Sequence, residues 1–518
     1  MGNSDPLHRR NMRTLLINPP YAFSEIPIMP LGPAYIAAIL EKNGHEVQIL
    51  DLLVAKYSKE KITRKIAEYQ PDIVGLTSVT MNYPIASEII KHCKSVNEDI
   101  ITVIGGPHVT FCPVETLNEA PWIDIVVRRE GEQTMLDIVG GKKLEDIDGI
   151  AFRSDGIKLT GERRLIQDLD GLPLPARHLF PLSRYHALDV HASVIAGRGC
   201  PFNCIFCVGS KMGGRRARYR NPKLVVDDIE QALACGFKEV NFEDDLLTLN
   251  HRHVYAICDE IIARGLKFNW SVFSRVDTVN LELLRRMKEA GCTWMLYGVE
   301  SGNQQILDTA KKKITLEKIR EGVRLGKEAG INVLASFIIG LPGETKETLK
   351  ETDQFAQELG ASYGFNVLSP FPGTEVREKA EEYGIEILTN DWSKYDANRA
   401  VTRTEGAGPK EITQILRQYN KRLQFLFSEI EKADKSDLIG AMKPREDSTL
   451  AGALLQGDVI ENLGMMELKG DPVESLASRV AEIVPYPPHK VSANIKRWVE
   501  EGLLKYDLKG QHLVWRWS

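Results

Sequence analysis

Residues 197–210 read GRGCPFNCIFCVGS and place Cys200, Cys204 and Cys207 on one short loop at C-x3-C-x2-C spacing. Three thiolates on one loop can bind three irons of a [4Fe-4S] cubane and leave the fourth without a protein ligand. An open iron can chelate an amine and a carboxylate, as a catalytic zinc keeps one position for substrate. A zinc site of such spacing usually carries a fourth Cys or His nearby, and none follows here. The other five cysteines, Cys93, Cys112, Cys235, Cys258 and Cys292, are scattered singly. They fit buried, weakly polar core residues and form no disulfide framework.

Outward from this loop the chain reads as α/β throughout. The loop follows ASVIAGRG, the first of six candidate strands; EVNFEDD, FNWSVFSR, WMLYGVESG, NVLASFIIGLPGE and YGFNVLSPFPGT come after it. Amphipathic stretches such as LELLRRMKEAG separate them. Six βα units over 191–385 are too few for an eight-fold barrel and suit a partial (β/α)6 TIM barrel, with functional residues at the strand C-termini. Residues 1–141 alternate apolar runs (TLLINPP, EVQILDLL, DIVGLTSVT, IITVIGGPH, DIVVRREGE) with helical stretches. That alternation predicts a Rossmann-like, doubly wound parallel sheet whose ligand lies beyond the strand C-termini. Residues 142–190 read as a linker with a hairpin, GIAFRSDGIKLTG, and a proline-rich stretch. Residues 386–518 read as a small, mainly helical region, with a winged helix from about 440: two helices, then a hairpin around Lys509-Gly510.

The chain has 518 residues, 43% apolar and 26% charged, with a net charge of −5. That charge gives no footing for general binding to nucleic acid or an anionic membrane. No apolar run reaches the ~18 residues of a membrane span. The lead-in MGNSDPLHRRNM is polar and has no secretory h-region. A cytoplasmic protein is expected.

The Cys200–Cys207 loop, with aromatic Phe206 before its last cysteine, resembles the radical S-adenosylmethionine superfamily over roughly residues 191–375. The resemblance assigns Glu243 and Asp244 of NFEDD to the methionine amino group. It puts Ser274 and Arg275 near the carboxylate or ribose, Glu300 and Ser301 at the end of the fourth strand, and Gly340 and Pro342 near the adenine. The N-terminal segments NPP, MPLGPAYIAA, VIGGPH and REGE resemble the cobalamin-binding subgroup. Pro30, Leu31 and Gly32 would then lie near the corrin, and Ser78 and Thr80 would face its amides or nucleotide tail. Gly105, Gly106 and His108 would line the tail channel, with Glu130, Gly131 and Glu132 on the next loop. No cobalt-ligating DxHxxG occurs, so the cobalt's lower face would meet Met81, Asn82, Tyr83 or water. Neither GxGxxG nor GxxxxGK[ST] is present, which weakens dinucleotide and triphosphate readings. Methylthiotransferases would carry further N-terminal cluster cysteines, whereas only Cys93 and Cys112 stand there.

The resemblance implies three cofactors: a [4Fe-4S] cluster, S-adenosyl-L-methionine and cobalamin. The implied activity is C-methyltransfer, in which a 5′-deoxyadenosyl radical abstracts hydrogen and methylcobalamin methylates the resulting carbon. An anaerobic magnesium-protoporphyrin ester cyclase, another radical rearrangement enzyme and a non-catalytic cobalamin-binding sensor stay open as alternatives. The implied electron donor is a reductase, flavodoxin or ferredoxin. The substrate is a peptide or protein recognised by the C-terminal module, or equally a hydrophobic small molecule or tetrapyrrole. Tyr297 and Tyr363, near strand ends, read first as core packing, with substrate contact or hydrogen donation as the lesser alternative.

Overall fold

The first apolar run, Thr14–Asn18 (β1), is buried along its whole length, as a strand covered by helices on both faces must be. The structure is a computed structural model that describes residues 12–21, 27–432, 446–468 and 470–518. Most of the polar lead-in and the start of the expected winged helix lie outside the described residues. After β1 come Val47–Asp51 (β2), Ile73–Thr77 (β3), Ile101–Gly105 (β4), Ile125–Val127 (β5), Ile150–Arg153 (β6) and Ile157–Leu159 (β7). They form one sheet in the order β2-β1-β3-β4-β5-β6-β7. The first five run parallel. One face is covered by Ile62, Ile66, Ile89 and Ile90, the other by Ala37, Leu40, Met135 and Ile138. This is the expected doubly wound sheet, and strand order reverses between β1 and β3, where such sheets bind ligands.

The hairpin expected in the linker departs from that expectation. β6 pairs antiparallel with β5, and β7 with β6, so the hairpin extends the N-terminal sheet. Its local pattern marks a hairpin, but which sheet edge it joins depends on the exposed edge of β5.

A second set follows: Ala192–Val194 (β8), Gly197–Arg198 (β9), Arg218–Tyr219 (β10), Glu239–Phe242 (β11), Asn269–Ser274 (β12), Cys292–Glu300 (β13), Asn332–Ile339 (β14) and Ser362–Val367 (β15). Six of them make a sheet in the order β15-β14-β13-β12-β11-β8, with every pair parallel. β9 and β10 form a short antiparallel ribbon leading into the cysteine loop. Helices Pro222–Ala234, His251–Ala263, Leu281–Glu289, Leu316–Glu328 and Lys346–Glu358 make the crossovers. Each begins at an Asn or Thr whose side chain accepts a backbone N–H of the first turn, which satisfies a donor the helix itself cannot.

Beyond the short pair Glu386–Ile387 (β16) and Thr402–Arg403 (β17), the chain is mostly helical. Met465–Glu467 (β18), Leu504–Lys509 (β19) and His512–Trp517 (β20) form a small antiparallel sheet with β20 central. It is joined to helices Pro472–Ala481 and Pro488–Glu500, the second of which buries Trp498 completely. Asp458 ties this region to the rest, accepting from Lys61 and from Arg184. Among the described residues no helix is long and apolar enough to cross a membrane.

Gly106, just after β4, has φ +104°, and a Cβ there would stand 2.4 Å from the Ser78 carbonyl oxygen. Left-handed backbone and a collision with main chain both oppose any side chain. Gly106→Ala should lower stability by roughly 2 kcal/mol or more, read as an earlier midpoint in chemical denaturation.

Candidate active site

Two loops, one from each sheet, are locked together by buried charge. Arg198, in β9, donates to Glu130 Oε1 at 3.1 Å and to Glu132 Oε1 at 2.6 Å, both on the loop that follows β5. Arg218, in β10, reaches Glu130 at 2.9 Å and donates to the Gly213 carbonyl at 2.8 Å. The Ile166 N–H also donates to Glu130 at 2.7 Å. Burial pushes the Glu130 carboxyl up, but Arg218, Arg198 and the Ile166 amide outweigh it, and the group ends below its usual range. The Arg198 guanidinium also lies 5.4 Å from the centre of the Tyr35 ring. Tyr35 continues the network: Arg220 donates to its hydroxyl at 3.1 Å and to Asp228 at 3.2 Å. Asp228 is held from its other side by Arg177 at 2.5 Å. Buried charges persist only when paired this completely.

Directly above these pairs is a cavity of about 340 Å³, at the switch point of the first sheet. Leu31, Gly32, Gly105, Gly106, Glu130, Gly131 and Glu132, all named from sequence as cofactor-binding candidates, stand in its walls, and so does Glu243 of the second sheet. Its deeper part is apolar, with Leu16, Gly75, Val103 and Met135. A Cβ on Gly32 would meet nothing within 4 Å, so that backbone lies open to an incoming group. Ser78, Thr80, Tyr83 and His108 are not among the walls. His108 is buried, stacked on Tyr83 at 4.3 Å and edge-on to Trp392 at 5.0 Å. Burial, aided by Arg377, pushes its imidazole down to about 4, so it is neutral. Asn82 is occupied in accepting the Val79 N–H at 2.9 Å. Of the three residues considered for the cobalt's lower face, Asn82 and Tyr83 therefore turn inward.

The cysteine loop is held from three directions. Gly199 donates its N–H to Asp245 at 2.6 Å, and Cys200 donates its N–H to the Gly214 carbonyl at 3.0 Å. Ile205 bridges Ala310 and Val376 through its backbone. Gly199 has φ +102°, and a Cβ would meet the Arg216 carbonyl at 2.8 Å, so glycine is required there. Arg275 lies 3.6 Å over the Phe202 ring and points an N–H at Cys204 Sγ, 4.0 Å away. Lys312, buried, pairs with Glu300 at 2.6 Å. Burial pushes the Cys204 thiol up, while Lys312 and Arg275 pull toward thiolate. Phe206 packs against the apolar cluster around Ile205. Among the described residues no three His, Cys, Asp or Glu side chains converge on one ion. A cubane asks for something else, since each thiolate binds a different iron, and three cysteines on one fixed loop meet that demand.

The other strand-end residues divide into two groups. Glu243 faces the cavity and accepts from Asn241 at 2.6 Å. Asp244 turns back to accept the Ala196 N–H at 3.0 Å, and burial pushes it up to about 7. Ser274 bonds Thr248, and Ser301 bonds Thr352 at 3.1 Å, so both are engaged in holding turns. Gly340, at φ +93°, and Leu341 give their N–H groups to Glu344, which tightens the turn containing Pro342. Strand parity places Tyr297 and Tyr363 in packing positions, the role preferred for them from sequence. Both lie on the face turned toward the helices, Tyr297 fully buried and Tyr363 against Tyr419. Sequence reading passed over Arg198, Arg218, Asp245, Lys312 and Glu344. Arg198, Asp245 and Glu344 carried local signals, in the Gly-Arg-Gly before Cys200 and at the last positions of NFEDD and LPGE.

Comparison with known proteins matches residues 24–139 to the B12 binding domain and residues 194–356 to the radical SAM superfamily. An uncharacterized methyltransferase of Pyrococcus horikoshii is 36% identical over 420 residues, covering 79% of this chain and 91% of its own. The chain belongs to the cobalamin-binding radical S-adenosylmethionine enzymes. An anaerobic magnesium-protoporphyrin IX monomethyl ester cyclase of Rubrivivax gelatinosus is 32% identical over 462 residues, 83% of this chain and 82% of the cyclase. The radical S-adenosylmethionine methyltransferase TsrM of Kitasatospora setae, solved with cobalamin and a [4Fe-4S] cluster, shares the fold. It has a TM-score of 0.65 at 18% identity, covering 95% of this chain and all of that one.

In this radical enzyme Glu344 offers a direct test of the strand-end geometry. It is fully buried, and burial pushes its carboxyl from 4.5 up to about 8 against the pull of the Gly340 and Leu341 amides. Between those values the folded chain holds a proton that the unfolded chain has released, so this group's contribution to stability falls as pH rises. Glu344→Gln should flatten the decline between about pH 6 and 8 by up to about 2 kcal/mol, measured by denaturant titration at each pH.

Proposed function

We propose that this chain transfers a methyl group from S-adenosylmethionine to an unactivated carbon of its substrate. The observation that carries the reading is the cavity whose walls come from both sheets, with Gly32, Gly105 and Gly131 on one side and Glu243 and Arg198 on the other. When bound, the cluster with S-adenosylmethionine supplies hydrogen abstraction, and cobalamin supplies the methyl carrier. Cys200, Cys204 and Cys207 hold the cluster. Glu243 takes the methionine amino group, Arg275 and the Lys312–Glu300 pair fix the carboxylate and ribose, and the Gly340–Pro342 turn lies against the adenine. The backbone at Leu31, Gly32, Gly105, Gly106 and Gly131 admits the corrin edge and tail. Leu16, Val103 and Met135 exclude water from the apolar part of that tail.

The six-stranded parallel array with its crossover helices is read as a partial (β/α)6 barrel. The region from Met465 onward is read as a winged helix, supported by two helices followed by the β19–β20 hairpin. A low-potential donor such as a flavodoxin or ferredoxin, or a reductase, would feed the cluster in the cytoplasm. A second reading, oxidative ring cyclisation, is favoured by the cyclase relative at 32% identity.

The test is anaerobic incubation of the reconstituted enzyme with cobalamin, reductant and S-adenosylmethionine carrying a deuterated methyl. Formation of both 5′-deoxyadenosine and S-adenosylhomocysteine, each lost in Cys204→Ala or in enzyme stripped of cobalamin as its role dictates, is the expected result. Deoxyadenosine without S-adenosylhomocysteine would favour cyclisation instead.

A further inference from the structure

The inner face of the six-stranded sheet differs from the filled interior that closed barrels of this kind show. Side chains alternate along each strand. On β13 and β14 the odd-numbered positions Met295, Tyr297, Val333, Ala335 and Phe337 are buried against the helices. The even-numbered Trp294, Leu296, Gly298, Leu334, Ser336 and Ile338 remain half-exposed. Register carries this inner face across the strands: Phe273 stands beside Leu296, and Leu296 beside Leu334. Extending the β11–β12 register by one residue puts Glu243 next to Phe273. Phe273 is 46% exposed, a large ring facing open space inside the fold. Glu243 also stands in the wall of the interdomain cavity, so the two spaces meet there.

The chemistry of this face is distinctive. Phe273, Trp294, Leu296, Leu334 and Ile338 supply apolar surface, and charge is confined to its ends, with Glu239 at the start of β11 and Glu243, Glu300 and Lys312 at the strand C-termini. The few polar side chains already bond one another, Ser271 to Asn241 at 2.7 Å and Asn366 to Ser336 at 3.1 Å. A polypeptide seated here would bury an N–H and a C=O for every residue with few partners, at a cost of the order of 1–3 kcal/mol per unmet group. A neutral apolar molecule meets no such penalty and gains from covering the exposed rings.

We infer that the substrate is a small molecule whose uncharged, largely apolar body lies on this inner face, with its reacting carbon toward Glu243 and the interdomain cavity. The inference rests on reading the chain as a radical methyltransferase, and it selects a small molecule over the peptide alternative.

The test uses the cofactor-loaded enzyme and Nile red, a neutral flat dye, read by its blue-shifted emission. Saturable binding is expected, weakened about tenfold or more by Leu296→Asp, which places a charge on the face, and by Ser336→Phe, which fills it. Cluster and cobalamin absorbance establish that each variant is folded and loaded. Absence of dye binding, or affinity unchanged in both loaded variants, would overturn the inference. Dye binding in a wild-type enzyme that forms no S-adenosylhomocysteine would support the apolar site and overturn the methyl-transfer reading instead.

Discussion

Glu130 and Glu132, on the loop after β5, close on the guanidinium of Arg198, which stands two residues before the first cluster cysteine. Each group is largely removed from water, and removing one partner from such a set leaves a buried charge uncompensated, typically at a cost of about 3–5 kcal/mol. The loops therefore cannot drift apart independently. The same residues wall the cavity at the first sheet's switch point, so the electrostatic clamp also fixes how that cavity, the proposed cobalamin site, faces the cysteine loop. Arg218, Tyr35 and the Arg177–Asp228–Arg220 set extend the clamp into both domains. Radical chemistry needs its reacting groups held at set separations, and this interface supplies that constraint.

Charge in the molecule is layered accordingly. Ionic groups gather at the strand C-termini: Arg275 and Lys312 beside Cys204, Glu300 on Lys312, and Glu243 at the cavity wall. Below them the sheet's inner face turns to Phe273, Leu296 and Leu334. Glu300 sits at φ +73°, where β13 shifts register against β14. That shift moves Glu300 out of the simple alternation and lets it meet Lys312. Backbone strain and the ion pair thus occur together at the rim, a common arrangement at functional sites.

Much of this was legible in the sequence because the signals are local. Three cysteines within eight positions, a strand before them and short polar motifs at strand ends need no long-range information. The doubly wound sheet followed from apolar runs alternating with helical stretches. What escaped depends on contacts distant in sequence. Arg198 and Glu132 are 66 residues apart, and nothing near either names its partner. His108 looked like a cavity residue from its place after Gly-Gly-Pro, yet Tyr83 and Trp392, the latter far along the chain, enclose it. The hairpin of β6 and β7 was visible as a hairpin, but its attachment to β5 was not.

The claim that the clamp sets the spacing of the two cofactor sites can be tested most directly by electron paramagnetic resonance. The enzyme would be loaded with paramagnetic cobalt(II) cobalamin and a reduced cluster. Magnetic coupling between the two centres, measured in wild type and in Arg198→Met at matched cofactor content, reports their separation. The account predicts a defined coupling in wild type that weakens and broadens in the variant. Identical coupling in both would contradict it.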